Sequence, residues 1–200
     1  IQAMWMYRNS FMNTFGAKAS EIVLVASEDT HYSIAKGSNL LMLDWIKVPV
    51  SFIDRKIDTI TFENQLVEAK KEGKKYFIVF CNMGTTMFGS VDNPNDYVSL
   101  LDKHNLTDNT MIALLSDNGA SREGGPQGVV DEFSFFNSMW EDVDDMVANR
   151  LDDIGTKNAH SNYPWGWSQV GNTPSRWYKS QTYGGGIRDS LILHWPKGID

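Results

Sequence analysis

Three polar loops and one lysine carry the side chains of this 200-residue chain best suited to chemistry. The loops are Glu28-Asp29-Thr30-His31, Asn82-Met83-Gly84-Thr85-Thr86 and Ser116-Asp117-Asn118-Gly119. Each follows a short apolar run, so each falls where a strand should end. In sheets built from alternating strands and helices, ligands bind beyond the carboxyl ends of the strands. Blander roles suit the same residues. His31 can start a helix and the threonines can close a turn. An Asp-Asn-Gly run after a strand is an ordinary turn. Lys179, set among Trp177, Tyr178 and Tyr183, can lay its stem on a ring. The single cysteine, Cys81, excludes an internal disulfide framework and a cysteine-rich zinc site.

The elements that must position these loops can be read from periodicity. Met4, Tyr7, Phe11 and Phe15 recur at helical spacing. The run Glu21 to Ala26 is rich in β-branched residues and predicts a buried strand. A helix is predicted over 33–42, with Gly37 a weak point, then a strand over 45–50. Thr61 is placed to cap a helix to Lys71, with Phe62, Leu66 and Ala69 inward. A third strand is predicted over 76–80. Strands alternating with helices imply a mostly parallel sheet covered on both faces. Further on, a helix is predicted over 96–104, a strand over 110–115, an acidic helix over 141–153 and a closing strand over 191–195. Residues 155–187 read as irregular.

Composition narrows the functions available. The formal charge is −7, which disfavours non-specific binding to nucleic acid or an anionic membrane. No apolar run is long enough to span a bilayer. Residues 1–100 hold 10 basic and 11 acidic side chains, whereas 101–200 hold 8 and 14, so the character shifts mid-chain. The start, Ile1-Gln2-Ala3-Met4-Trp5, is not a secretory signal, and the chain is expected to be part of something longer.

Residues 27–36, Ser-Glu-Asp-Thr-His-Tyr-Ser-Ile-Ala-Lys, resemble the S-x-x-x-H-Y-S-x-x-K segment of the pyridoxal-phosphate-dependent amino-acid decarboxylases. Asn82-Met83-Gly84-Thr85-Thr86-Met87-Phe88-Gly89 resembles their N-x-G-T-T-x-x-G segment, and the separation fits, including Lys56-Ile57-Asp58. The resemblance covers residues 1–105. It implies that His31 stacks on the pyridine ring of the cofactor and that Thr85 or Thr86 lies beside it. The family also needs a lysine for the internal imine and an aspartate at the ring nitrogen, carried in H-K and H-x-D-A segments. This chain has no His-Lys pair and no His-x-Asp.

Residues 106–200 resemble the sulfatases, in their arylsulfatase branch. The matching segments are Asp108-Asn109-Thr110, Ser116-Asp117-Asn118-Gly119-Ala120-Ser121, Glu123-Gly124-Gly125, Tyr163-Pro164-Trp165-Gly166-Trp167, Gly171-Asn172-Thr173-Pro174, Tyr178-Lys179, Gly185-Gly186-Ile187-Arg188 and Trp195-Pro196-Lys197-Gly198-Ile199. The resemblance implies that Asp117 and Asn118 are oxygen ligands of calcium, a hard cation suited to carboxylate and amide oxygens. It also implies that Lys179 contacts the sulfate as a point charge. The family's nucleophile is a formylglycine made in a C/S-x-P-x-R segment. Cys81 precedes Asn82-Met83-Gly84-Thr85, and no serine begins such a segment.

The expected architecture is therefore α/β: two partial mixed or parallel-sheet fragments joined near residue 105, a decarboxylase large-domain fragment over 1–105 and a sulfatase fragment over 106–200. The expected function is a hybrid that lacks either catalysis on its own. The alternatives are an arylsulfatase-related hydrolase completed by a longer chain and a pyridoxal-phosphate lyase fragment completed by a partner chain. Pyridoxal phosphate and calcium are implied by the two families, yet neither is expected to bind well. Partners are expected to be the families' small-molecule substrates, with no nucleic acid and no membrane, and self-association through unpaired sheet edges. No targeting segment is present, so the default compartment is the cytoplasm.

Overall fold

Ile22–Ser27 forms strand β1, and all six residues are buried. A strand so apolar on both faces needs cover on both sides, as the centre of a parallel sheet does. β1 pairs parallel with β2 (Asp44–Val48), from Val23 opposite Asp44 to Ser27 opposite Val48. On its other edge it pairs parallel with β3 (Tyr76–Val79), from Ile22 opposite Tyr76 to Val25 opposite Val79. The order is β2-β1-β3. The computed structural model describes residues 1–116 and 118–199, and it divides into two compact units, Ile1–Thr107 and Asp108–Asp200.

Alternation along β1 splits the core of the first unit in two. Ile22, Leu24 and Ala26 pack with Met4, Tyr7 and Phe11 of helix α1 (Gln2–Phe15) and Ile34 of helix α2 (Ser33–Leu41). Val23 and Val25 face Phe62 and Leu66 of helix α3 (Thr59–Lys71) and Tyr97 and Leu100 of helix α4 (Pro94–Lys103). Each such buried aliphatic side chain contributes roughly 1.5–3 kcal/mol of transfer free energy. Gly37 has a packing reason. A Cβ there would sit 2.4 Å from the Met4 sulfur, so the missing side chain lets α1 close on α2.

The second unit is built differently. Strand β4 (Ile112–Leu115) pairs antiparallel with β5 (Leu191–His194), Ile112 opposite His194 and Leu115 opposite Leu191. All four residues of β5 are exposed. Short helices α5 (Glu132–Phe136), α6 (Val143–Asp145), α7 (Trp165–Gly171) and α8 (Gly184–Ile187) lie between the strands. Buried here are Val129, Val130, Ser168 and Tyr178. Val129 and Asn162 exchange both backbone bonds, at 2.9 and 3.0 Å. The Glu141 carboxylate accepts from the amides of Val130 (2.6 Å) and Asp131 (3.1 Å), which pins this hinge of irregular chain. No helix among the described residues is long and apolar enough to cross a membrane.

Several sequence expectations need correction. The cap of α3 is Asp58, whose Oδ1 accepts from the amides of Ile60 (3.1 Å) and Thr61 (3.0 Å); Thr61 lies inside the helix. Helix α4 begins earlier, at Pro94, with Asn93 accepting from the Asn95 amide. The acidic helix over 141–153 is not regular. It passes from α6 into a π turn (Met146–Arg150) and a 3-10 turn (Leu151–Asp153). Its six acidic residues repel one another, and Asp and Asn side chains compete for backbone and neighbours. Asn149 donates to Asp145 (2.7 Å), and Arg150 reaches forward to Asp153 (2.6 Å). The stretch over 155–187 is not wholly irregular, since it holds α7 and α8.

Candidate functional site

The first candidate region lies where β1 and β3 end. Ser27 closes β1 and is buried. Phe80 still donates its amide to Val25 (2.8 Å), so residues 81 onward leave the sheet beside β1. This brings the two predicted loops together through Asn82. Its Oδ1 accepts from the Thr30 hydroxyl (2.9 Å), and its Nδ2 donates to Ser27 Oγ (3.2 Å). Its backbone amide donates to Asp92 Oδ2 (2.7 Å), which also accepts from the Tyr97 hydroxyl (2.8 Å). Asp92 is 5% exposed, and each contact to it is charge-assisted. Burial, then the bond to Asp92, pushes the Tyr97 phenol well up, so it stays a donor.

The residues singled out from sequence fall into different settings. His31 is exposed at the start of α2. Its Nδ1 lies 2.9 Å from Ser33 Oγ, and its ring centroid lies 4.1 Å from that of Tyr32. Thr85 is buried, with its hydroxyl 2.7 Å from Ser90 Oγ and its amide donating to the Ser90 carbonyl (2.9 Å). Thr86 is exposed. Asp29 is tied to Arg55 by two bonds, one of 2.8 Å to Nε, and the Arg55 guanidinium lies 4.3 Å over the Phe88 ring. Sequence reasoning missed Asn82, Asp92 and Arg55 as organisers. Asn82 stood inside a noted segment. Asp92 and Arg55 gave no signal, because their partners are set by the return of the chain across the strand ends. Cys81 is half-buried, and burial, then Asp92 and Asp96, pushes its thiol up to about 11. It is no thiolate near neutral pH.

The cofactor implied for this strand end requires an amine and a carboxylate near one ring. The carboxylates present are engaged, Glu28 with the Val50 amide, Asp29 with Arg55, and Asp92 with Asn82 and Tyr97. His31 stands exposed against Tyr32. The side chains here do not fit that cofactor.

The second candidate region lies in the other unit. Asp117 falls outside the described residues. Asn118 is half-buried, and its carbonyl accepts from the Ser116 hydroxyl (2.7 Å). Gly119 is buried, and a Cβ there would sit 1.7 Å from the Gly185 carbonyl oxygen, so only glycine permits this approach. Lys179 donates its amide to Ala120 (3.1 Å), and its Nζ lies 3.1 Å from Glu123 Oε1. Ser121 also donates to Glu123. Burial raises the Glu123 carboxyl, but Ser121 and Lys179 outweigh it and hold the pKa below its ordinary value. The Lys179 ammonium is thus matched to an internal carboxylate. Nearby, His160 Nε2 lies 3.2 Å from Glu132, whose pKa is raised by burial, with His160 opposing. Among the described residues no group of three or more His, Cys, Asp or Glu could hold a metal ion.

A family model described as the pyridoxal-dependent decarboxylase conserved domain matches residues 9–108. A second, described as sulfatase, matches residues 95–200. The two spans overlap over α4 and the turn that follows it. A tryptophan decarboxylase of Clostridium sporogenes (strain ATCC 15579) is 58% identical over 106 residues, 53% of this chain and 25% of that protein. An acidic amino acid decarboxylase GADL1 of Xenopus tropicalis is 36% identical over 92 residues, 45% of this chain and 18% of that protein. The crystal structure of mouse CSAD aligns at TM-score 0.42 and 26% identity, covering 49% of this chain and 22% of that one. The chain thus spans a quarter or less of the length of these relatives.

Proposed function

Residues 9–108 belong to the pyridoxal-dependent decarboxylase family and residues 95–200 to the sulfatase family, and on that premise we propose that the chain is a hybrid of two partial enzyme domains that performs neither reaction on its own. The join is placed near residue 105, in the turn between α4 and β4. The parent substrates are an aromatic amino acid, by likeness to the tryptophan decarboxylase, and an aryl sulfate. His31, Thr85 and Thr86 are remnants of two loops that faced pyridoxal phosphate. Asp117, Asn118 and Lys179 are remnants of loops that faced calcium and sulfate.

One observation supports this reading: Asn82, Asp29, Asp92 and Lys179, polar groups at the two candidate regions, are spent on neighbouring side chains. Asn82 links Ser27, Thr30 and Asp92, Asp29 holds Arg55, and Glu123 holds Lys179. A reacting centre needs groups preorganised toward a substrate. Here they instead organise loops. Sequence supports the same reading, since no His-Lys pair and no C/S-x-P-x-R segment occurs.

The test uses the purified 200-residue chain. With pyridoxal phosphate and L-tryptophan, no carbon dioxide is released above a protein-free blank, and with pyridoxal phosphate alone borohydride fixes no more cofactor to the folded chain than to the urea-unfolded one. With calcium and p-nitrophenyl sulfate, no nitrophenol is released. Turnover of either substrate above the blank sinks the proposal.

A further inference from the structure

The second unit carries an apolar groove whose lining includes neither the 116–119 loop nor Lys179. Its cavity volume is about 580 Å³, and it runs between the 143–154 segment and α7. Val143, Val147, Leu151 and Ile154 line one wall; Trp167 and Val170 line the other. These six side chains are strongly exposed, from 41% at Val143 to 63% at Trp167. Val143, Val147, Leu151 and Ile154 lie four, four and three residues apart along α6 and the π and 3-10 turns that follow it, and all four reach the same wall. Clustered exposed apolar groups with a polar rim mark interaction surfaces far more than scattered ones do.

Charge selects the occupant. Residues 141–154 hold Glu141, Asp142, Asp144, Asp145, Asp152 and Asp153 against Arg150 alone. Asp144 directly follows Val143 and Asp152 directly follows Leu151, and both are exposed, so the segment that forms this wall carries a local excess of negative charge. A second copy seated here would set one acidic rim against another, which repels. An anionic membrane is disfavoured for the same reason. We propose that this groove takes a basic amphipathic helix of a partner protein, its leucine-type anchors on the apolar walls and its lysines or arginines over Asp144 and Asp152. Helix-in-groove recognition reads i, i+3 or i+4, and i+7 anchors, which a groove between two helical segments can receive. This goes beyond the catalytic reading and does not depend on it.

The test is fluorescence anisotropy with the full chain and a labelled Leu/Lys amphipathic peptide of about 18 residues, long enough for several anchors. A Leu/Glu peptide with the same apolar face is the control. The basic peptide should saturate below about 100 µM, weaken as salt rises, and bind at least tenfold tighter than the acidic one. Val147→Asp should weaken it by about tenfold or more, with an unchanged far-UV circular dichroism spectrum. Asp144→Asn with Asp152→Asn leaves the apolar walls intact and, with an unchanged far-UV circular dichroism spectrum, should weaken it by roughly threefold and flatten the salt dependence. Equal binding of both peptides, no saturation with the basic one, or indifference to both variants overturns the proposal. So does a self-associating chain that Val147→Asp turns monomeric in sedimentation, since the occupant would then be a second copy.

Discussion

The two units bury their strands to opposite extents. β1 lies between two strands and under four helices, and all six of its residues are buried. β5 has one hydrogen-bonded neighbour, and all four of its residues are exposed. Apolar content does not explain the contrast, since Leu191-Ile192-Leu193 is as apolar as Ile22-Val23-Leu24. What differs is the number of elements that cover the strand. A two-stranded ribbon is marginal without further strands or a helix. The first unit therefore rests on side-chain burial. The second buries fewer apolar side chains and carries polar ties such as Glu141 to the 130–131 amides and Glu123 to Lys179.

The largest test of that contrast is a pair of truncations. Leu24→Ala, in the buried strand, should cost about 2–5 kcal/mol. Leu193→Ala, in the exposed strand, should cost less than about 1 kcal/mol. Urea unfolding followed by segment-resolved hydrogen exchange reads each unit separately. Equal losses would remove the distinction.

A smaller effect is expected at the strand ends. Asp92→Ala leaves the Asn82 amide and the Tyr97 hydroxyl without their acceptor, which should cost about 1–3 kcal/mol. Tyr97→Phe removes one bond only and should cost about 1 kcal/mol. The same unfolding curves check both, and an inert Asp92→Ala would show that the clamp does not hold the loops.

Acid should separate the units further. In the first, Glu21, Asp54, Asp58 and Glu63 titrate below their ordinary values. The leading causes are the Lys18 amide, the Ser51 hydroxyl, the Thr61 amide and the Lys103 ammonium respectively. A carboxylate whose folded pKa is lowered stabilises above its unfolded value, and that stability is lost as pH falls through the folded value. In the second unit Glu123 behaves in this way, but Glu132, raised by burial, behaves oppositely, losing stability as pH rises. Between pH 7 and pH 3 the first unit should lose protection steadily and the second should change less. A parallel loss in both would contradict this.

The smallest expected effect concerns association. The exposed β4–β5 ribbon offers unpaired strand edges, which favour contact between copies. Ile192→Lys, with Ile192 already 61% exposed, should lower light scattering at high concentration without altering unfolding. Unchanged scattering would locate any association elsewhere.

Much of the first unit was legible in the chain. β1, β2 and β3 stand within two residues of their predicted bounds, and Phe62 and Ala69 are buried on α3 as their spacing requires. Local pattern succeeds there because a covered strand and an amphipathic helix must each carry their own apolar period. It failed over 141–153, where crowded carboxylates break the helix into three kinds of turn. At the candidate loops the residue types were visible but their commitments were not.

Amino-acid order alone was enough to reveal two family likenesses, an alternating strand and helix plan for the first hundred residues, and the lack of a His-Lys pair. Those are local or compositional properties, readable one segment at a time. Folding settled the rest: that Asn82 reaches Ser27, Thr30 and Asp92, that Arg55 holds Asp29, and that Glu123 claims Lys179. Each of these is a hydrogen bond or ion pair between residues 10 to 56 positions apart. Such contacts depend on where the backbone returns, which no short stretch of chain encodes by itself.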